Sequence, residues 1–294
     1  MDNNTIIEKK SPDSTPTDFD TLVISGGGVK GICALGALQY AVDNFLLKNV
    51  NTFIGTSVGS IIGYLLAIGY TPVEIIVYIC THQLMEKLSH LNIVAMINGG
   101  GATSYNNINE QLEKMTVAKI GKLLTLGAIK EKFGKTLIFA THNFTTQQTE
   151  YLSAETYPDM PCLVACRMSA CLPFVFEKYL YMGSRYIDGG ISDNFPIDIG
   201  DRIGKKVLGI LLGTKFDAPS EPTDDTGIVH DIYRMLFIPI NQAVEYKINL
   251  ASDKCKIIRI DTMQVMSAFN FTMSSHSKLE LFSKGYKRAA EQLE

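Results

Sequence analysis

The chain has 294 residues, of which 46% are hydrophobic and 19% charged, and its net charge is −3. This composition is that of a globular protein with a sizeable core. The mild negative charge excludes the strongly basic surface of a typical nucleic-acid-binding protein.

Residues 1–19 are rich in Ser, Thr, Pro, Asp and Asn and show no apolar periodicity. We expect them to form a disordered arm ahead of one domain over residues 20–294. The arm lacks the apolar core of a signal peptide, and Pro72 and Glu74 interrupt the most apolar stretch of the chain. These features predict a cytoplasmic or peripheral membrane protein without a transmembrane helix.

From Thr21 onward, short β-branched runs alternate with longer runs of helical periodicity. Strands are predicted at 22–25, 51–55, 136–144, 149–153, 184–188, 206–212 and 256–260. Helices are predicted at 29–46, 57–69, 71–88, 106–115, 160–170, 227–251 and 275–293. This alternation predicts an α/β fold of three α/β/α layers around a mostly parallel central sheet.

The first predicted strand ends in SGGGVKG, where Gly26, Gly28 and Gly31 match the spacing of a dinucleotide-binding turn. Such a site also requires an acidic residue at the end of the second strand. Here GTSVG follows that strand instead, and the acid at the right distance, Asp43, lies inside the predicted helix. The nucleotide interpretation is therefore disfavoured.

The GTSVG sequence places Gly55, Ser57 and Gly59 between a strand and a helix, which is the pattern of a nucleophile elbow. The turn is so tight that only glycine fits on either side of the serine. A serine that attacks an ester needs backbone N–H donors for the oxyanion. The neighbouring strand end offers those of Gly26, Gly27 and Gly28.

Another predicted strand ends in Asp188, followed by Gly189 and Gly190. A single Asp-Gly-Gly sequence is most often an ordinary turn. In combination with the glycine turn and the elbow, however, Asp188 is a candidate base for the Ser57 proton.

With its SGGGVKG, GTSVG and DGG motifs in this order, the chain resembles the patatin-like phospholipases over residues 20–200. A further similar block is Ser169-Ala170-x-x-Pro173. The resemblance implies a lipid acyl hydrolase of the phospholipase A type with a Ser–Asp dyad, Ser57 as nucleophile and Asp188 as base. It also implies oxyanion donors at the three glycines and elbow glycines at 55 and 59. Supporting roles are implied for residues that flank these motifs, namely Lys30, Gly31, Gly189 and Gly190.

The resemblance implies a phospholipid or another acyl glyceride as substrate, met at a membrane surface, and no metal or organic cofactor. The chain departs from the family pattern at Ser25, where aspartate is frequent, and at Lys30, where arginine is frequent. A lysine supplies charge but not the bidentate fork of arginine, so the departures bear on head-group preference.

Several alternatives stay open. His230 or His276 could complete a Ser-Asp-His triad of the α/β-hydrolase type. The chain could also be a lipid-binding protein that lacks catalysis or needs an activating protein partner. The basic amphipathic helix 275–293 and the Met- and Phe-rich segment 263–273 are candidates for membrane contact.

The six cysteines are interpreted as reduced thiols. Cys162, Cys166 and Cys171 lack the spacing of a zinc site, so no metal is expected there.

Overall fold

In a computed structural model, the protein is described over residues 19–82, 101–213, 228–261 and 273–294, with only the backbone described for 228–234. The strands are β1 (Thr21–Ile24), β2 (Thr52–Thr56), β3 (Thr136–Asn143), β4 (Gln148–Ser153), β5 (Tyr179–Tyr181), β6 (Ser184–Asp188), β7 (Val207–Gly213) and β8 (Cys255–Asp261). The helices are α1 (Gly31–Asp43), α2 (Val58–Ala67), α3 (Pro72–Thr81), α4 (Asn106–Ile120), α5 (Leu126–Phe133), α6 (Cys162–Ser169), α7 (Ile197–Ile203), α8 (Ile228–Leu250) and α9 (Ser275–Leu293).

The strands form one mixed, mostly parallel sheet in the order β5-β6-β3-β2-β1-β7-β8, with β4 paired to β3. The pairs β3–β2, β2–β1, β1–β7 and β7–β8 are parallel. The pairs of β3 with β4 and β6, and of β5 with β6, are antiparallel. The predicted α/β class with a mostly parallel sheet is confirmed.

The alternating side chains of β1 divide the core between the two faces of the sheet. Leu22 and Ile24 pack into the larger cluster with α1 and α2, whereas Val23 packs into a smaller cluster with α7 and α8. This is the two-sided burial that near-continuous apolar strands indicate. The sheet is therefore covered by helices on both faces.

Three short elements escaped prediction, namely α5, α7 and β5. Each is eight residues or fewer, too short for apolar periodicity to reveal it. The predicted helix 71–88 begins with a capping box between Thr71 and Glu74 and is described to Thr81, since residues 83–88 lie outside the described ranges. Residues 1–18 and 262–272 also lie outside, which leaves most of the proposed arm 1–19 and most of segment 263–273 undescribed. Phe19, the last residue of the predicted arm, is instead buried in the core, so the domain begins there rather than at residue 20.

Helix α9 packs on α1 through two glycines. A Cβ on Gly36 would overlap the Phe282 carbonyl, and one on Gly285 would overlap the Cys33 carbonyl. The backbones therefore approach closely, with Leu281 and Ala289 buried. The apolar stripe of α9 is thus largely used within the protein rather than left for a membrane.

Within the described ranges, no single helix is long and apolar enough to cross a membrane; α2 and α3 pass that test only jointly, and they are bent by 118°.

Candidate active site

The two central site residues meet because β2 and β6 end against each other along the same strand. Thr56, the last residue of β2, pairs with Ala140 of β3, and Asp188, the last residue of β6, pairs with the next residue, Thr141. Since β2 is parallel and β6 antiparallel to β3, their C-terminal ends point at one another. Ser57 follows Thr56, so it lies beside Asp188.

Ser57 occupies a strained backbone conformation, with φ 54° and ψ −126°, directly before α2. Non-glycine residues rarely adopt this region, and such strain is frequently found at functional sites. The elbow closes because glycines stand two positions before and two positions after Ser57. A Cβ on Gly55 would lie 2.5 Å from the Gly59 backbone, and one on Gly59 would overlap the Ile24 carbonyl.

The buried side chain of Ser169 connects the elbow at Ser57 to β3 by hydrogen bonds. The Ser57 N–H donates to Ser169 Oγ at 3.0 Å, and the Ser169 hydroxyl donates to the Ala140 carbonyl at 2.7 Å. The side chain of Ser169 therefore bridges β2 and β3 where the direct ladder ends. The sequence analysis identified the motif that contains Ser169 but did not predict that its side chain bridges the two strands.

Asp188 is a buried carboxyl whose proton affinity is raised. The pKa of Asp188 is raised to about 6 because the effect of burial outweighs the two groups that lower the pKa, the Ser57 hydroxyl and the Gly190 N–H. Oδ1 accepts from Gly190 N–H at 2.7 Å, whereas Oδ2 has no partner of standard geometry in the part of the chain that is described. The Ser57 hydroxyl therefore lies close enough to lower the pKa of the carboxyl but forms no hydrogen bond of standard geometry with Oδ2.

The glycine turn after β1 lies against Ser57, but its first amide is already used. Gly26 N–H donates to the Asn194 carbonyl at 3.1 Å. A Cβ on Gly26 would come within 3.2 Å of Ser57 Cβ, so the turn approaches the serine closely. Gly28 has φ 55°, which favours glycine. Of the three amides expected to serve an oxyanion, those of Gly27 and Gly28 are the stronger candidates.

The turn after Asp188 ties the parts of the site together. The Asp193 carbonyl accepts from Thr56 Oγ1 at 2.9 Å. The Asp193 carboxylate accepts from Tyr151 at 2.7 Å and from Lys247 at 2.8 Å. Asp193 is 5% exposed, so this charge is buried with its partners. This anchor, which connects the turn to β4 and α8, was absent from the sequence prediction.

An apolar cavity of about 160 Å³ opens beside Ser57 and Gly28. It runs between α1, α2, α3, α4 and the segment 170–176, and its walls are mainly aliphatic side chains, for example Leu35, Ile62 and Leu112. A hydrogen bond of 2.7 Å joins Tyr78 and Gln111 in its lining. A cavity with such a lining suits an apolar ligand.

The remaining sequence candidates lie as follows. Lys30 is partly buried, and burial lowers its pKa. Gly31 brings α1 against α2, because its Cβ would lie 2.6 Å from a Val58 methyl group. Asp43 lies at the far end of α1 from the glycine turn. A Cβ on Gly189 would overlap the Ala140 carbonyl, so β6 ends tightly against β3.

The triad alternative involves two histidines, His276 in α9 and His230 in α8. His276 is 83% exposed and pairs with Glu280 at 3.3 Å. His230 lies in the part of α8 for which only the backbone is described.

The cysteines are free. Burial raises the pKa of Cys162 to about 12 and that of Cys171 to about 11. Thiols of this kind are protonated and unreactive.

The mostly parallel sheet and the strained serine between strand and helix define an α/β protein with an elbow-like turn at Ser57. Residues 22–201, more than half of the chain, match the patatin-like phospholipase family. The chain therefore belongs to the patatin-like phospholipase family.

The chain is similar to two viral proteins over much of its length. A protein of Invertebrate iridescent virus 6 named probable lipid hydrolase is 38% identical over 65% of the chain and 66% of its own length. An uncharacterized protein of Acanthamoeba polyphaga mimivirus is 29% identical over 100% of the chain and 98% of its own length.

Among solved structures, VipD from Legionella pneumophila has a TM-score of 0.55 at 17% identity, over 94% of this chain and 67% of VipD. The type III effector ExoU has a TM-score of 0.50 at 15% identity, over 95% of this chain and 53% of ExoU. At these identities the likeness shows the fold, and the chain spans about half of ExoU.

Proposed function

We propose that the protein is a lipid acyl hydrolase in which Ser57 is the nucleophile and Asp188 the general base. The observation that carries this proposal is the meeting of a strained serine and a buried carboxyl, with the serine in the lining of an apolar cavity. A carboxyl pKa of about 6 suits a base that is ionised at neutral pH and still able to accept a proton.

In the first half of the reaction, Ser57 Oγ attacks the ester carbonyl carbon while its proton passes to Asp188 Oδ2. The N–H groups of Gly27 and Gly28, with the N-terminus of α2, stabilise the negative charge on the carbonyl oxygen. The ester C–O bond then breaks, and Asp188 returns the proton to the departing alcohol. The product of this half is an acyl-enzyme on Ser57.

In the second half, Asp188 accepts a proton from water, and the resulting hydroxide attacks the acyl carbonyl. The bond to Ser57 Oγ breaks, the serine regains the proton and the fatty acid leaves. The cavity supports an acyl chain as the group transferred, because its walls offer dispersion contacts and few polar partners. A phospholipid or another acyl glyceride, presented at a membrane surface, is the substrate class that we assign.

The test is hydrolysis of p-nitrophenyl butyrate and of phosphatidylcholine vesicles by wild type, Ser57→Ala and Asp188→Asn. We expect both substitutions to abolish turnover of both substrates in well-folded protein. His276→Ala is the matched control, because its side chain is exposed, and it keeps full activity. Loss of activity in His276→Ala or His230→Ala with an unchanged melting temperature would instead favour a triad.

A wild-type protein that is inactive on both substrates would contradict the proposal as stated. The search would then turn to a non-catalytic lipid carrier or to an enzyme that needs an activating protein.

A further inference from the structure

Two hairpin tips project past the edge of the sheet at which the candidate active site lies. Strand β3 continues three residues beyond Ala140, where β2 ends, and β6 returns antiparallel beside it to Asp188. At about 3.3 Å per residue, the tip of the β5–β6 hairpin lies roughly 15 to 20 Å beyond Asp188. The β3–β4 turn lies next to it, since Phe144 N–H donates to the Arg185 carbonyl at 2.8 Å.

These tips expose large apolar side chains. Met182 is 85% exposed, Leu180 70% and Phe144 43%. Leu180 pairs with Arg185 across the hairpin, and the Arg185 guanidinium lies 4.7 Å from the centre of the Phe144 ring. Side chains directly opposite each other share a face of the sheet, so Leu180 and Arg185 lie on one surface with Phe144.

The turn at the tip of the β5–β6 hairpin places Met182 in an unfavourable backbone conformation. Met182 and Gly183 form a two-residue turn, with φ 48° and φ 80°. This geometry favours Asn or Asp followed by Gly, and a methionine there is strained. The exposed Met182 side chain gains little packing in return, so the fold alone gives no reason for it.

Basic residues border the apolar ones. Arg185 lies within the surface, and the exposed Lys178 precedes β5 by one residue. We define the hairpin patch as Phe144, Lys178, Leu180, Met182 and Arg185. It is locally basic on a chain whose net charge is −3.

We propose that the hairpin patch docks the protein on an anionic phospholipid surface, with Leu180 and Met182 inserted at the headgroup boundary and the two cations on lipid phosphates. Apolar side chains beside cations are the combination that such surfaces bind. The patch lies beyond the same edge of the sheet as Ser57 and Asp188, so docking brings a bilayer to the side of the molecule that carries the site. This inference deepens the proposed lipid hydrolysis and rests on it, although docking is measurable without turnover.

The experiment measures co-sedimentation of the Ser57→Ala protein with vesicles of phosphatidylcholine alone and of phosphatidylcholine mixed equally with phosphatidylserine. We expect binding to the mixed vesicles, and a loss of about tenfold or more when Leu180→Thr and Met182→Asn are added. Asn suits the left-handed turn and Thr suits a strand, so this variant folds at least as well as its parent. Lys178→Gln with Arg185→Gln lowers binding to the mixed vesicles by about fivefold per charge.

The matched control is Phe45→Asn, which removes an apolar side chain that is 75% exposed. Like Met182, Phe45 has a positive φ, and it lies just after the C-terminal end of α1, away from the hairpin patch. The control variant keeps full vesicle binding. Equal binding by the hairpin variant and its parent, or no binding by the parent, would overturn the proposal. A change of oligomeric state in the hairpin variant with unchanged vesicle binding would also overturn it, because the patch would then join copies of the chain.

Failure of docking and failure of catalysis are separable. With Ser57 restored, the hairpin variant hydrolyses soluble p-nitrophenyl butyrate at the wild-type rate and loses only vesicle hydrolysis. A loss of soluble-ester hydrolysis as well would place the hairpin in the site and refute a separate docking role. Vesicle binding without any hydrolysis by wild type would refute the proposed function and leave the docking surface intact.

Discussion

Replacing Asp188 by Asn should abolish hydrolysis and at the same time stabilise the fold above pH 6. The carboxyl is 2% exposed, and burial raises its pKa from 3.8 to about 6. A folded-state pKa above the unfolded one means that the proton is bound more tightly in the folded protein. The ionised carboxylate therefore destabilises the fold at neutral and alkaline pH, and this cost disappears as pH falls toward 3.8.

The magnitude follows from the size of the shift. About two pKa units at 1.36 kcal/mol each give about 3 kcal/mol of destabilisation at pH 8. About half of this remains at pH 5, where most folded molecules carry the proton and most unfolded ones do not. The asparagine side chain of the variant keeps an oxygen for the Gly190 N–H and carries no charge, so the variant avoids the cost at every pH.

The assay is urea unfolding of wild type and Asp188→Asn at pH 5 and pH 8. We expect the variant to have the larger free energy of unfolding, and its advantage to shrink by about half at pH 5. The same titration predicts that kcat/KM of wild type falls about tenfold per pH unit below pH 6. A variant that is no more stable at pH 8, or an advantage independent of pH, would refute the assignment of a buried, ionised Asp188.

Three further outcomes follow from the site geometry. Ser57→Gly should relieve the backbone strain and raise the free energy of unfolding by about 1 to 2 kcal/mol while hydrolysis is lost; unchanged stability in urea would contradict the strain. Ser169→Ala should orphan the Ser57 N–H and the Ala140 carbonyl, cost about 2 kcal/mol and lower kcat more than it raises KM; an unchanged melting temperature would show that the bridge is dispensable. Ile108→Phe should fill part of the cavity and lower kcat/KM for long-chain esters about tenfold without affecting acetate esters; unchanged hydrolysis of long-chain esters would place the acyl chain elsewhere.

The sequence predicted well those features that depend on local constraints. Gly55 and Gly59 flank Ser57 because the elbow leaves no room for a Cβ at either position. The elbow could therefore be predicted from residue types alone. The α/β class followed from long alternating segments, whose periodicity is strong. The same reasoning found Asp188 only through its combination with the other glycine motifs.

Contacts that depend on the sheet order could not be predicted. The Asn194 carbonyl that occupies Gly26 N–H, and the Asp193 carboxylate held by Lys247, join segments that are far apart in the chain. These partners are brought together by the packing of distant elements, which no local pattern encodes. Strand β5 was missed because it has only three residues and because Met-Gly is not a typical residue pair for the turn that joins it to β6.

The central claim is that Ser57 carries the acyl group, and the most direct measurement is mass spectrometry of the protein quenched during turnover of p-nitrophenyl butyrate. We expect a butyryl group on the peptide that contains Ser57 in wild type, and none in Ser57→Ala or Asp188→Asn. Hydrolysis without acylation of that peptide, or an acyl group on another residue that persists in Ser57→Ala, would contradict the account.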